Sequence, residues 1–159
     1  MTIIDQLGIA LGLATLAGLN LYLTVLVAGC AVRFHWIELS DSYQQMEILG
    51  HPWVLGVAGT LFVIEFFADK IPWVDSMWDL AHTIIRPAGA IFIALAVLGK
   101  MDPVAVTVAV LLAGTAALST HGTKSGIRAI LNFSPEPLSN SVASVAEDGL
   151  VLGGLGLIG

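Results

Sequence analysis

The sequence is poor in what a water-soluble domain uses to stay in water. Only 11% of its residues are charged, and its six Lys and Arg form no cluster. Phosphate recognition needs grouped basic side chains, so this scarcity and a formal charge of -6 argue against nucleic acid as a partner. Cys30 is the single cysteine, which excludes an intrachain disulfide and any metal site built on paired cysteines. No Lys or Arg precedes the first apolar run, where Asp5 stands instead, so the pattern is not that of a cleaved signal peptide and the first segment is expected to be retained. His-Glu-x-x-His, Gly-x-Ser-x-Gly and phosphate-cradling loops are all missing, and no enzymatic activity is expected.

What the chain has in abundance is apolar length. It is 57% hydrophobic with a mean hydropathy of +0.90, beyond the range of soluble domains. Residues 7–32 contain no charge, and about 20 helical residues suffice to cross a hydrocarbon core. The expected fold is an all-α polytopic transmembrane helical bundle forming one domain over 1–159, with four or five spans. They are placed at about 7–34, 52–69, 77–99 and 103–128, with a fifth candidate at 138–159. Pro52 suits the first turn of the second span. The third span needs residues before Pro87, because 88–98 alone is too short, so a kinked helix is expected there. Asp69-Lys70-Ile71-Pro72, Lys100-Met101-Asp102-Pro103 and Ser134-Pro135-Glu136-Pro137 separate the spans. Glu147 and Asp148 lie inside the last segment, which stops in mid-run, so the sequence is expected to be cut short there. A small-residue helix followed by acids recurs faintly, over 18–69 and 122–148, as a weak internal repeat.

Spaced along the spans, Lys70, Arg86, Lys124 and Arg128 fall on the N-terminal side, and Arg33 and Lys100 fall opposite. The positive-inside rule then expects a multi-pass protein with the N terminus cytoplasmic and the 35–50 loop external. Small-xxx-small spacings at Gly8/Gly12, Ala14/Gly18, Gly122/Gly126 and Gly149/Gly153 allow close helix approach, and so few spans suggest a homo-oligomer in the lipid bilayer.

The few charges form stripes. Glu65 and Asp69 are four apart and share a helix face, about 6 Å apart along the axis. Such a pair repels unless a metal cation, a proton or a basic side chain lies between, so two readings stand: an ion site, or an internal salt bridge to Lys124 or Arg128. Asp75, Asp79, His82 and Arg86 follow spacings of four, three and four, either the wet face of an interfacial helix or the lining of a pathway with His82 titrating near neutral pH. His121, Lys124 and Arg128 make a basic stripe that either faces acids elsewhere or marks a cytoplasmic helix end. Glu147 shares a face with Asn140 and Ser144, with Asp148 beside it. Asn20, with Thr24 four residues on, is a buried amide suited to interhelical hydrogen bonding.

The string Glu65-x-x-Ala68-Asp69-Lys70-Ile71-Pro72-x-Val74-Asp75-x-x-Trp78-Asp79, followed by His82-Thr83-x-x-Arg86-Pro87, resembles the uncharacterised bacterial membrane family catalogued as domain of unknown function 4126. So do Gly18-Leu19-Asn20-x-Tyr22-Leu23-Thr24, His121-Gly122-x-Lys124, and Asn132-x-Ser134-Pro135-Glu136-Pro137-x-Ser139-Asn140 with Ala146-Glu147-Asp148. The resemblance covers most of the chain and implies a protein of the bacterial cytoplasmic (inner) membrane, with no settled activity to import. The run from Glu65 to Lys70 also resembles the Glu-x-Gly-Asp-Lys-Ser/Thr motif of calcium and manganese exchangers, with an extra residue before Asp69 and Ile71 in place of the hydroxyl.

These readings converge on a small membrane transporter or channel for a small ion, a cation or one coupled to protons, centred on Glu65 and Asp69. Hard oxygen ligands would favour calcium, manganese or magnesium as the substrate. The alternative is a non-transporting module that packs with a partner or binds lipid, its charges forming internal salt bridges.

Overall fold

The computed structural model describes residues 3–37, 39, 41–133 and 137–158; Glu38 and the expected helix stop at 134–136 lie outside the described residues. Six α-helices and one 3-10 helix follow one another, without a strand among the described residues. They are α1 (Ile3–Leu19), α2 (Leu21–Arg33), the 3-10 helix (Asp41–Gly50), α3 (Pro52–Ala68), α4 (Pro72–Leu98), α5 (Pro103–Asn132) and α6 (Pro137–Ile158). Each of the last four helices begins on a proline, whose fixed φ and missing N–H cost nothing in a first turn. Asp102 adds a side-chain cap to α5, accepting from the backbone N–H groups of Val104 (3.0 Å) and Ala105 (3.2 Å). Pro87 lies inside α4 without ending it, so the third span extends through the proline as expected.

The chain is the polytopic helical bundle its hydropathy implied. α4, α5 and α6 are long and apolar enough to cross a membrane, and the 3-10 helix with α3 forms a pair bent by 61° that qualifies only as a unit, giving three or four spans by length and composition among the described residues.

The first segment differs from expectation. Residues 7–34 are not one helix: α1 ends at Leu19 and α2 begins at Leu21, both shorter than a span. The chain also reverses there. An unbroken helix would separate Ile9 from Ala31 by about 33 Å at 1.5 Å per residue. Instead Ile9 and Leu13 of α1 line one cavity of about 400 Å³ together with Val27 and Ala31 of α2. Near the open end of this hairpin, Asp5 lies within electrostatic reach of Tyr43 of the 3-10 helix. α1 and α2 are thus a helical hairpin that enters the bundle from one end and turns back inside it, with its tip at Asn20.

This hairpin changes the sidedness read from the sequence. Ile3 shares an end with Arg33, the 3-10 helix and the α4–α5 turn, where Lys100 donates to Gln44 (3.0 Å). Lys70 and the C-terminal half of α5 lie at the opposite end. α5, the counterpart of the first segment in the sequence echo, runs unbroken.

Small residues let the central helices approach closely. Ala10, Ala14 and Ala17 of α1, Ala90 and Ala94 of α4, and Ala109, Ala113 and Ala117 of α5 are all buried at helical spacings. Gly18 completes the seam: a Cβ there would overlap the Ala117 backbone and the Thr120 hydroxyl. Of the small-xxx-small pairs, Ala14/Gly18 therefore packs within the chain and Gly12 meets Ile158, whereas Gly8, Gly122, Gly126, Gly149 and Gly153 face open space.

Candidate functional site

Asn20 makes the break and also caps it. Its backbone is extended (φ -146, ψ 101), and its side-chain Oδ1 accepts from Leu23 N–H (3.0 Å), the N-cap bond that starts α2. Its Nδ2 donates to Asp148 Oδ1 on α6 (3.0 Å). Ending α1 inside the bundle leaves carbonyls without helical partners, and an apolar interior cannot hydrate them. Cations supply the donors: Arg86 Nη1 reaches Gly18 O (3.1 Å), and Lys124 Nζ reaches Leu19 O (3.3 Å). Positive groups at the C-terminus of α1 and an acid beside the N-terminus of α2 also match both helix dipoles.

Around the tip, acids and bases from four elements interlock. Arg86 of α4 pairs with Glu65 of α3, and both side chains are 0% exposed. The ammonium of Lys124 stands between the two carboxylates that the sequence left needing a positive charge, 3.7 Å from Glu65 Oε1 and 3.5 Å from Asp69 Oδ2, and 3.2 Å from Glu147 Oε2. Arg128 grips Glu147 with two parallel bonds, Nε to Oε1 (3.0 Å) and Nη2 to Oε2 (2.8 Å). It also donates to Asp69 Oδ2 (3.1 Å), to the Asp69 carbonyl (3.0 Å) and to the Asn140 carbonyl (3.4 Å), and lies 3.6 Å from Asp75.

The histidines are held in defined tautomers. An arginine only donates, so the 2.9 Å contact from Arg86 Nη1 makes His121 Nδ1 an acceptor and leaves its proton on Nε2, facing the Asp79 carbonyl (3.1 Å). His82 Nδ1 donates to the Trp78 carbonyl (2.8 Å), so in the neutral ring Nε2 accepts from the Tyr22 hydroxyl (3.0 Å). A proton added to His121 Nδ1 would displace its bond from Arg86.

All twelve residues singled out by the sequence gather here: Asn20, Glu65, Asp69, Asp75, Asp79, His82, Arg86, His121, Lys124, Arg128, Glu147 and Asp148. Sequence reasoning missed Tyr22, Thr83 and Ser125. Thr83 and Ser125 were findable, four residues after Asp79 and His121 on the same stripes; Tyr22 was not, because the tip turns it toward His82. Among the described residues no group of three or more His, Cys, Asp or Glu is arranged to hold a metal ion. Between Glu65 and Asp69, the expected metal pair, stands the ammonium of Lys124, while Arg86 pairs with Glu65 and Arg128 with Asp69.

A family model matches residues 7–158, from the first turns of α1 to the end of α6; its description is Domain of unknown function (DUF4126). The chain belongs to that family. No curated protein and no solved structure matches the chain. Membership in DUF4126 brings no chemistry with it, so the functional reading rests on the network itself.

Proposed function

We propose that this membrane protein moves a proton or a small hard cation through its bundle, with the charge network at the hairpin tip as the binding site. The observation that carries this reading is a charge imbalance placed at a break in a helix. Six carboxylates (Glu65, Asp69, Asp75, Asp79, Glu147 and Asp148) share this half of the bundle with three cations (Arg86, Lys124 and Arg128), which pair with the first three and Glu147, so full ionisation leaves a formal excess of three negative charges. Each ionised group held away from water costs several kcal/mol even after relaxation, and the other half of the same helices closes on alanine instead. An acid excess beside unwound backbone is what a site for a positive ion requires.

The test is flux in proteoliposomes for protons and for sodium, potassium, magnesium, calcium and manganese. Glu65→Gln keeps an acceptor for Arg86 while removing charge; it should abolish flux per folded molecule, with the folded fraction measured in detergent alongside. A wild type that moves none of these ions would overturn the reading.

One observation favours the second reading, a non-transporting module: Lys124 and Arg128 are each shared among several acids, as a structural clasp would be. In either case the outward glycines of α5 and α6 suit a homo-oligomer, which mass measurement in detergent would test. The Lys70 end, with Lys124 and Arg128, carries more cations than the end with Arg33 and Lys100. By the positive-inside rule it would face the cytoplasm of an inner membrane, placing Ile3 on the outer face. Side-selective labelling of a cysteine introduced at Ile3 decides the orientation.

A further inference from the structure

Between α4 and α5, on the Lys70 side of the network, lies a cleft of about 260 Å³ lined by Asp75, Ser76, Asp79, Thr83, Ser125 and Arg128 among others. Asp79 differs from the other buried acids of this half. It is 6% exposed, yet no cation lies within ion-pair distance of it among the described residues. Oδ2 accepts one bond, from Ser125 Oγ (3.0 Å), and Oδ1 has no hydrogen-bond partner. A carboxylate this buried is stable only with a positive or donating partner, and the cleft is large enough to supply one from outside.

The opposite wall does not supply it. Arg128 lines the cleft, but its guanidinium is spent on Glu147, Asp69 and the Asn140 carbonyl. Behind Asp79 the polar path continues inward. Its own carbonyl accepts from His121 Nε2, Ser125 Oγ and Thr83 Oγ1 lie 3.4 and 3.2 Å from that nitrogen, and His121 Nδ1 joins Arg86 and hence Glu65.

We propose that this cleft is the aqueous port of the network, that it admits small cations and excludes anions, and that Asp79 is the group that makes the selection. The inference rests on the transport reading for its purpose but not for its test. In a Cys30→Ala background, Thr83→Cys places a thiol on the cleft wall next to Asp79. It should react with membrane-impermeant methanethiosulfonates from the Lys70 side, with a cationic-to-anionic rate ratio at least about tenfold above that of a free thiol in solution, whose thiolate by itself favours the cation. Opposite unit charges several ångströms from a carboxylate, in partly screened surroundings, differ by that much or more. Adding Asp79→Asn should bring the ratio down toward that of the free thiol. Should Thr83→Cys fail to fold, Ala129→Cys, on the same cleft and without a polar role, reports the same preference.

A folded thiol that reacts with neither reagent, shows only the free-thiol ratio, or keeps a higher ratio after Asp79→Asn overturns the proposal. Labelling needs no flux, so the two readings fail separately. Cation-selective labelling in a protein that moves no ion sinks transport and leaves the port; flux through a protein with an inert cleft does the reverse.

Discussion

Between Ala10 and Ala17, α1 meets α4 and α5 through buried methyl groups. One turn further on it stops, and the same neighbours reach it with Arg86 and Lys124. In the alanine half, contact is dispersion at close approach, tolerant of the exact residue provided it is small. In the charged half, each group depends on a named partner, because an unpaired charge in this setting is far more costly than a missing methyl. Tolerance and dependence thus alternate along one helix pair, and the second is confined to the level where the hairpin turns. The charges are concentrated where broken backbone needs donors, which ties the network to the architecture as well as to the proposed ion.

That contrast should be most visible at Arg86. Arg86→Met removes the partner of Glu65 and the donor to the Gly18 carbonyl, and should lower stability by about 3–5 kcal/mol in a detergent-denaturation titration. The double variant Glu65→Leu with Arg86→Met removes both charges and should recover more than half of the loss. A double variant as unstable as the single would mean that the Gly18 carbonyl, and not the ion pair, sets the cost.

The charged half was the more legible of the two in the sequence. Spacings of three and four place Asp75, Asp79, His82 and Arg86 on one face whatever the neighbours do, and an apolar bundle leaves opposite stripes little choice but each other. The hairpin was not legible for a physical reason. Hydropathy records the absence of charge, not chain direction, and α1 and α2 bury the same kinds of side chain in a hairpin as in one long span. The only marker is Asn20, a residue that caps helices and also serves as an interhelical hydrogen bonder. Because α1 and α2 form a hairpin, Ile3 lies at the end of the bundle opposite to the one that alternation from a single first span implies.

The alanine half should respond to volume instead of charge. Gly18→Ala forces a methyl into the Ala117 backbone and should cost about 1–3 kcal/mol, the range for overpacking. Gly122→Ala, in the same helix neighbourhood but facing open space, should be neutral or gain up to about 1 kcal/mol from helix propensity. Equal losses at both sites would show that the outward face of α5 is covered, as a homo-oligomer would cover it, and detergent mass measurements would then find more than one copy.

At the tip itself, Asn20→Ala removes the N-cap of α2 and the bond to Asp148, and should cost about 1–2 kcal/mol. Asn20→Asp keeps the cap but sets a second carboxylate against Asp148. It should be the worse of the two substitutions if Asp148 is ionised, and the milder if Asp148 is protonated, so the order of the two variants reports the charge state at the turn.

The smallest effect is expected from a lysine that looks equivalent in the sequence. Lys100 and Lys124 each stand near helix ends among apolar runs, but Lys100 is exposed and donates to the Gln44 side chain at 3.0 Å, whereas Lys124 is 2% exposed and holds Glu65, Asp69 and Glu147 together. An exposed polar contact competes with water on nearly equal terms, and fixing a long side chain offsets much of what it contributes. Lys100→Ala should therefore change stability by no more than about 0.5 kcal/mol, with unaltered flux, while Lys124→Ala should fall in the range of Arg86→Met. If Lys100→Ala proved as damaging as Lys124→Ala, the end of the bundle that carries Arg33 and the 3-10 helix would depend on charge as strongly as the hairpin tip, and the division of the molecule into a tolerant and a dependent half would not stand.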